Sequence, residues 1–499
     1  MKKSVLLVLT VGLSISAHAA DWAKYQSPNF TVYSDQSESR IVEMIEDLEA
    51  FRTIAMVQLG LPAASTENQN LAIVSFASNR DFKRIAQDRN VAGFYTNTND
   101  GPRMVMGGGR RETTSAQEIL FHEYTHHLTF EHSSGFTYPR WYLEGIAYVF
   151  GAAKVDKETI VLGGRPPIAE VLDYYDPLRL DTLLQNSRRG DFSTEQEVRF
   201  SATAWLMTHY LQIHALANDR ELGLKNREYL TRYHRGEDPV AAFEDVFGTS
   251  LSDFQDVLNA YAKQRRIPVI NWPRPALDSK VSRSAIDDTE KNYVLADLLF
   301  DGGQEALALE YLSDLNPQED FFAEAVSLRA VMLNHDAANT DVVADLVNQL
   351  TESGVASSLV YGNLAHIELD SYRHAVEAGR SDLADALLQQ AEDYARQGIA
   401  ADARGFNALW YLSTVLLVRQ QYDEALSVLD QAWDVFPAHQ GMRLEVAKIL
   451  LRQGNLAEAE PVIRSLVGAS HRPELSRLLG EVLEQLKTGR IDPALLDQL

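Results

Sequence analysis

Phe121-His122-Glu123-Tyr124-Thr125-His126 is the stretch on which the fold turns. Two histidines four positions apart lie about one helical turn from each other. A helix therefore presents both imidazoles on one face, within reach of a single metal ion. Glu123 stands beside that face and can take a proton from water near the metal. Ile119, Leu120 and Phe121 lead into the motif, and Leu128 and Phe130 follow it, the pattern of a partly buried helix. Thr114 or Ser115 is expected to cap that helix, with Glu118 three residues after Ser115 as in a capping box. A purely polar surface pair is the alternative reading of so short a motif. The apolar flanks argue against it, because buried imidazoles and a carboxylate need partners.

A catalytic metal needs a third protein ligand and an open position. Downstream lies Tyr138-Pro139-Arg140-Trp141-Tyr142-Leu143-Glu144-Gly145-Ile146-Ala147-Tyr148, with Pro139 placed to start a helix. Glu144 is a lone acid among apolar neighbours, and a cation would compensate its burial. Gly145 and Ala147 are expected to let this helix approach the motif helix. The competing reading is an ion pair between Glu144 and Arg140, one turn away. There are no cysteines, so thiolate ligands and disulfides are both ruled out.

The two motifs together resemble the gluzincin branch of zinc metallopeptidases, and within it the bacterial peptidase MA-like families. The HExxH helix is followed, with 17 residues between His126 and Glu144, by Trp141-Tyr142-Leu143-Glu144-Gly145. The resemblance implies Zn2+ held by His122, His126 and Glu144, with Glu123 as general base. It also places an oxyanion donor on a later helix, at Tyr210 or His209. His127 is offset around the motif helix and is expected beside the site rather than on the metal. Asp173 and Asp176 are possible orienters of a metal-bound histidine.

Upstream, Asn29 to Tyr33 alternates as a strand, and Glu38 to Leu59 has helical periodicity with Asp35 or Ser37 to cap it. Leu71 to Phe76 reads as a strand and Asp81 to Ala86 as a short helix. Gly93 to Thr96 and Arg103 to Met106 read as strands joined at Asn99-Asp100-Gly101. Arg103 to Met106 is expected at the sheet edge, where it would pair with an extended peptide, and Gly107 to Gly109 would keep that cleft open. Downstream, Glu197 to Leu216 forms one long helix with Phe200, Ala204, Met207 and Leu211 on one side. Prolines 268, 273 and 275 interrupt any periodicity between Arg265 and Lys280, which marks a domain boundary.

Beyond it the chain repeats. Ala425 and Ala459 are 34 residues apart, each five or seven residues from another small side chain, and Pro437 closes a unit. A 34-residue period with small residues at helix crossings resembles the tetratricopeptide repeat. Leu409 to Pro437 and Gln440 to Val467 fit it. The 41 residues from Ala384 to Ala425 require an insertion or a longer loop, and Asn292 to Leu350 is helical but degenerate.

Length and charge complete the expectation. The chain has 499 residues, 45% of them hydrophobic and 23% charged, enough for several domains. Lys2 and Lys3, an apolar run from Val5 to Ile15 and Ala17-His18-Ala19 form a signal-peptide pattern. No later stretch has the length of a membrane span. A formal charge of -24 disfavours nucleic acid. The expected layout is a signal peptide at 1–19, an α+β zincin-like metallopeptidase domain at 20–267, a linker at 268–280 and an all-α tetratricopeptide-like solenoid at 281–499. The expected function is zinc-dependent peptide-bond hydrolysis of protein or peptide substrates in the periplasm, or outside the cell. The repeats would recruit substrate or a protein partner and be separable from the catalytic domain. The alternative is an envelope assembly factor whose peptidase activity is weak or lost.

Overall fold

The computed structural model describes residues 22–61, 71–86, 93–98, 100–107, 113–132, 135–186, 188, 191–277, 280–469, 473–496 and 498–499. The signal-peptide segment, and Gly108 and Gly109, lie outside them. The described chain is an α+β N-terminal region followed by helical hairpins.

The N-terminal region is built on strands β1 (Ala23–Gln26), β2 (Phe30–Ser34), β3 (Leu71–Ser75), β4 (Gly93–Thr98) and β5 (Gly101–Met106). Helix α1 (Glu38–Leu59) follows β2, α2 (Asn79–Ala86) follows β3, and α3 (Thr113–Glu131) follows β5. The six-stranded sheet runs β4-β5-β3-β2-β1-β9, where β9 is Ser282–Ala285. Strands β2, β3 and β5 are parallel, and β4 returns antiparallel to β5. This order corrects one expectation. Arg103 to Met106 is interior, and β4 is the edge strand, because the hairpin folds outward from β3.

Strand alternation decides what each sheet face meets. Val32, Ile73 and Met104, aligned in register, face Ile45, Leu48 and Phe51 of α1 and Phe121, Tyr124 and Leu128 of α3. Phe51 stacks on Phe121 with ring centroids 4.1 Å apart. Tyr33, Val74 and Val105, one position along, face the other way. Helix α1 has the expected bounds and stops at Gly60, whose φ of 66° ends it in the left-handed region. Ser37 sits at its N-cap without a side-chain bond, and Asp35 instead accepts from the Ala77 amide at 2.6 Å. Helix α3 begins at Thr113, so Thr114 and Ser115 lie within its first turn rather than before it.

Next come α4 (Arg140–Gly151), β6 (Lys154–Val155), β7 (Thr159–Leu162), α5 (Leu180–Gln185) and α6 (Thr194–His209). The long helix starts earlier than expected, on a Ser193/Gln196 capping box, and passes through a π turn at Tyr210–His214 into α7 (Ala215–Asn218). Then follow α8 (Arg220–His234), α9 (Pro239–Phe247) and α10 (Leu251–Ala262).

The stretch expected as a linker is structured. Strand β8 (Ile270–Pro273) pairs antiparallel with β7, and β9 closes the main sheet against β1. Proline breaks helices but is tolerated at a strand end, where Pro273 sits. Helices α11 (Asp288–Asp301), α12 (Glu305–Tyr311) and α13 (Phe322–Leu333) then cover the second sheet face. Tyr293, Leu298 and Leu299 share one core with Tyr33, Val74, Phe76, Phe82 and Val105. The first helices after the boundary are therefore a layer of the N-terminal sandwich, not a separate body.

The hairpins continue through α14 (Thr340–Ser353), α15 (Ser358–Glu377), α16 (Ser381–Ala401), α17 (Phe406–Val418), α18 (Tyr422–Val435), α19 (Gln440–Arg452), α20 (Leu456–Ala469), α21 (Pro473–Leu486) and α22 (Pro493–Leu496). Ala425 and Ala459 are fully buried at the crossings, as their period requires. The seven residues beyond 34 between Ala384 and Ala425 lie in α16, which has 21 residues where α18 has 14. That is about two extra turns rather than a longer loop.

Candidate metal centre

Helix α3 carries His122 and His126 on one face. Their Nε2 atoms are 3.2 Å apart, and their rings meet edge to face at 4.9 Å. Glu144, 5% exposed, comes from α4. The ligand atoms of the three side chains all lie within 4.8 Å of one another. With Zn–N bonds near 2.0–2.1 Å, two nitrogens on a tetrahedral ion stand ~3.4 Å apart. Two imidazoles and one carboxylate, with no thiolate, fit zinc in kind and in spacing.

Two glycines set the position of α4, one on each side. A Cβ at Gly151 would lie 3.1 Å from the Glu118 carbonyl oxygen and 3.2 Å from His122 Cβ, so Gly151 lets α4 approach α3. A Cβ at Gly145 would lie 2.1 Å from Thr208 Oγ1 and 2.4 Å from the Ala204 carbonyl oxygen, so Gly145 faces α6. The expectation that Gly145 opens the way to the motif helix is thus corrected: the residue serving that contact is six positions further on. Arg140 directs its guanidinium to Asn186 Oδ1, the Arg188 carbonyl and Glu197, and lies 4.1 Å over the Phe200 ring. It anchors the start of α4 to α6.

His127 is buried and points to the sheet edge. Its Nδ1 is 3.3 Å from the Tyr95 hydroxyl and its Nε2 is 3.4 Å from Glu131. Burial, with the Glu131 and Glu123 carboxylates nearby, raises the pKa of Tyr95 far above the usual phenol value, so its hydroxyl stays protonated. Tyr95 thereby ties β4 to the motif helix beside Glu123. Tyr148 packs its ring 4.5 Å from His122. Neither tyrosine stands out in the sequence. Tyr95 acquires its place only through the β4–β5 register, and Tyr148 only through the crossing of α3 and α4.

His209 is not placed to stabilise an oxyanion. It is fully buried, with Nε2 2.9 Å from the Gly163 carbonyl and Nδ1 2.9 Å from the Tyr261 hydroxyl. The carbonyl takes its one proton, and burial lowers its pKa to about 4. Tyr210 stacks on His214 and meets Tyr261 edge-on, within the same aromatic group. Asp173 is an exposed partner of Arg165, and the Asp176 carbonyl accepts from Arg199. Neither is part of the group formed by His122, His126 and Glu144.

The tetratricopeptide repeat family matches residues 416–482, from the end of α17 into α21. A crystal structure of a thermophilic TPR protein from Thermus thermophilus is similar over 39% of this chain and 97% of that one, at 19% identity and a TM-score of 0.33. No curated protein matches the chain. Residues 416–482 thus carry a tetratricopeptide repeat within a tetratricopeptide-like helical array, and such repeats suggest protein partners. Among the described residues no helix is long and apolar enough to cross a membrane.

Proposed function

We propose that this chain is a zinc metallopeptidase of gluzincin type, acting in the cell envelope on protein or peptide substrates. One observation carries the reading: two imidazole nitrogens and a carboxylate oxygen from α3 and α4 converge within 4.8 Å, with Glu123 on the same helix as the imidazoles. His122, His126 and Glu144 would hold the ion. When bound, zinc supplies Lewis acidity toward a scissile carbonyl and toward water.

The remaining work falls to the chain. Glu123 accepts a proton from the attacking water and returns it to the departing amine. Tyr95, fixed against His127, holds the edge strand β4 at a set distance from Glu123. The outer edge of β4, unpaired among the described strands, would offer backbone groups to an extended substrate, in place of Arg103–Met106. The repeats would present a surface to substrate or partner, and the N-terminal leader pattern is the basis for placing the protein in the periplasm.

The test pairs metal analysis of the purified full chain with digestion of a peptide library. Wild type should bind one zinc and cleave, and Glu123→Gln should bind zinc and not cleave. Equal cleavage by both would refute the role of Glu123. The second reading is a repeat-based assembly factor with little or no catalysis, favoured by the repeat match. Partner capture that is unchanged by Glu123→Gln, with no cleavage by wild type, would select it.

A further inference from the structure

The repeats bend back over the end of the edge strand, and a cavity of about 210 Å³ lies between the two. That is far above the ~10–15 Å³ that holds one water. The strand contributes Asn97 and Thr98, α11 contributes Asp297 and Asp301, and the repeats contribute Phe406 and Trp410. His439 also lines it, its ring 4.9 Å from that of Phe406 and 5.5 Å from that of Trp410.

The charge of the lining has one sign. Asp297 and Asp301 are its charged residues, and no lysine or arginine is among the described residues that form it. The cation beside Asp297 is Arg103, 3.0 Å away but also 3.0 Å from Asp100, so one guanidinium is divided between two carboxylates. Asp297 is 1% exposed, yet neither of its carboxylate oxygens receives a hydrogen bond. The Asn97 side-chain oxygen is likewise buried without a donor. Burial lowers the pKa of His439 to about 4, so at neutral pH it adds no positive charge. The cavity thus joins a buried carboxylate that shares Arg103 with Asp100, and an amide oxygen without a donor, to aromatic faces, the combination that receives an ammonium or guanidinium group.

Its position selects the source of that group. Asn97 is two residues along β4 from Tyr95, about 7 Å, and Tyr95 stands beside Glu123. A polypeptide paired with the outer edge of β4 would carry a side chain into the cavity about two positions from the residue opposite Tyr95. We infer that this cavity is a specificity subsite for a lysine or arginine side chain of an extended polypeptide, formed jointly by the edge strand, α11 and the repeats. The inference rests on the proposed peptidase reading for the direction of the substrate, and on the cavity alone for the cation.

The experiment uses the full-length Glu123→Gln protein, so that binding is read without turnover. Alanine-rich nonapeptides carry lysine, arginine, norleucine or glutamate at each position in turn, and affinity is measured by fluorescence anisotropy. Lysine or arginine at one position should bind at least tenfold more tightly than norleucine there, with glutamate weakest. Asp301→Asn, an exposed and conservative change, and Trp410→Leu should each cut that ratio to below threefold. Equal affinity for lysine and norleucine at every position, a ratio untouched by both variants, or no binding by any basic peptide would overturn the subsite. Basic-peptide preference without hydrolysis by wild type would keep the subsite and remove the peptidase. Hydrolysis without basic preference would do the reverse.

Discussion

Cutting the chain after Ile286 should destroy the N-terminal region rather than release it. The cut keeps strands β1 to β9 and the metal ligands but removes α11 to α13 together with all later helices. Tyr33, Val74, Phe76, Phe82 and Val105, each no more than 8% exposed, would lose the helices they pack against. Burying a large apolar side chain contributes about 1.5–3 kcal/mol. Five of them amount to about 8–15 kcal/mol, and mutual shielding on the bared sheet would leave about half of that as the net loss. A domain has only about 5–15 kcal/mol in total. Arg103, 3% exposed, would also lose Asp297 and the Val294 carbonyl, its partners on α11. The fragment 22–286 should therefore be aggregated or molten, with no near-ultraviolet circular dichroism and no cooperative urea transition. A monomeric fragment whose urea midpoint equals that of the full chain would refute the sandwich argument and restore the separable catalytic domain expected from sequence.

Other outcomes follow from single side chains. Glu144→Ala should weaken zinc binding by more than the roughly 10–100-fold that loss of an outer-sphere partner produces; competition with a chromogenic chelator measures it, and an unchanged affinity removes Glu144 from the ligand set. Gly145→Ala forces a methyl against the Ala204 backbone carbonyl and should cost about 1–3 kcal/mol. Gly151→Ala, at 3.1–3.2 Å, should cost less, so thermal melts in which Gly151→Ala falls further contradict the packing described. Glu368 is pushed up to about 7 by burial. Its folded form then holds a proton that the unfolded chain releases above its ordinary value of 4.5, so stability falls as pH rises from there through about 7. Glu368→Gln should flatten that fall in urea titrations at pH 5 and pH 7.5, and an identical slope in both proteins would show that Glu368 is not the group responsible.

Features of short range could be read from the sequence. The bounds of α1 follow from its apolar period and Gly60, and the His122–His126 juxtaposition follows from the helical repeat alone. The gathering of Glu144 with them was an expectation from an isolated acid on a second apolar helix and from the family resemblance, against a competing ion pair with Arg140. What could not be read was non-local. Strand order is set by pairing between distant segments, so β4 and not β5 became the edge. The turn-rich stretch at 265–280 has the composition of a linker, and its strand β8 exists only because β7 provides partners. Helix spacing identifies two faces of α4 without saying which neighbour each meets, hence a Gly145 that meets α6 where α3 was expected. His209 looked available because its two interior partners, Gly163 and Tyr261, lie 46 and 52 residues away.

The repeats are held at both ends. Helix α11 is bedded on the sheet, while Arg443 bonds the Phe130 carbonyl at 3.2 Å, Arg464 the Tyr233 carbonyl at 3.2 Å and Thr137 the Pro461 carbonyl at 3.4 Å. An array free at one end can gain or lose a hairpin and merely change length. Here the span between fixed abutments sets the number of hairpins, as a keystone arch admits no spare block. Duplicating or deleting one 34-residue unit would pull these late helices off α3 and α8, so this protein should tolerate point changes within its units far better than any change in how many it has.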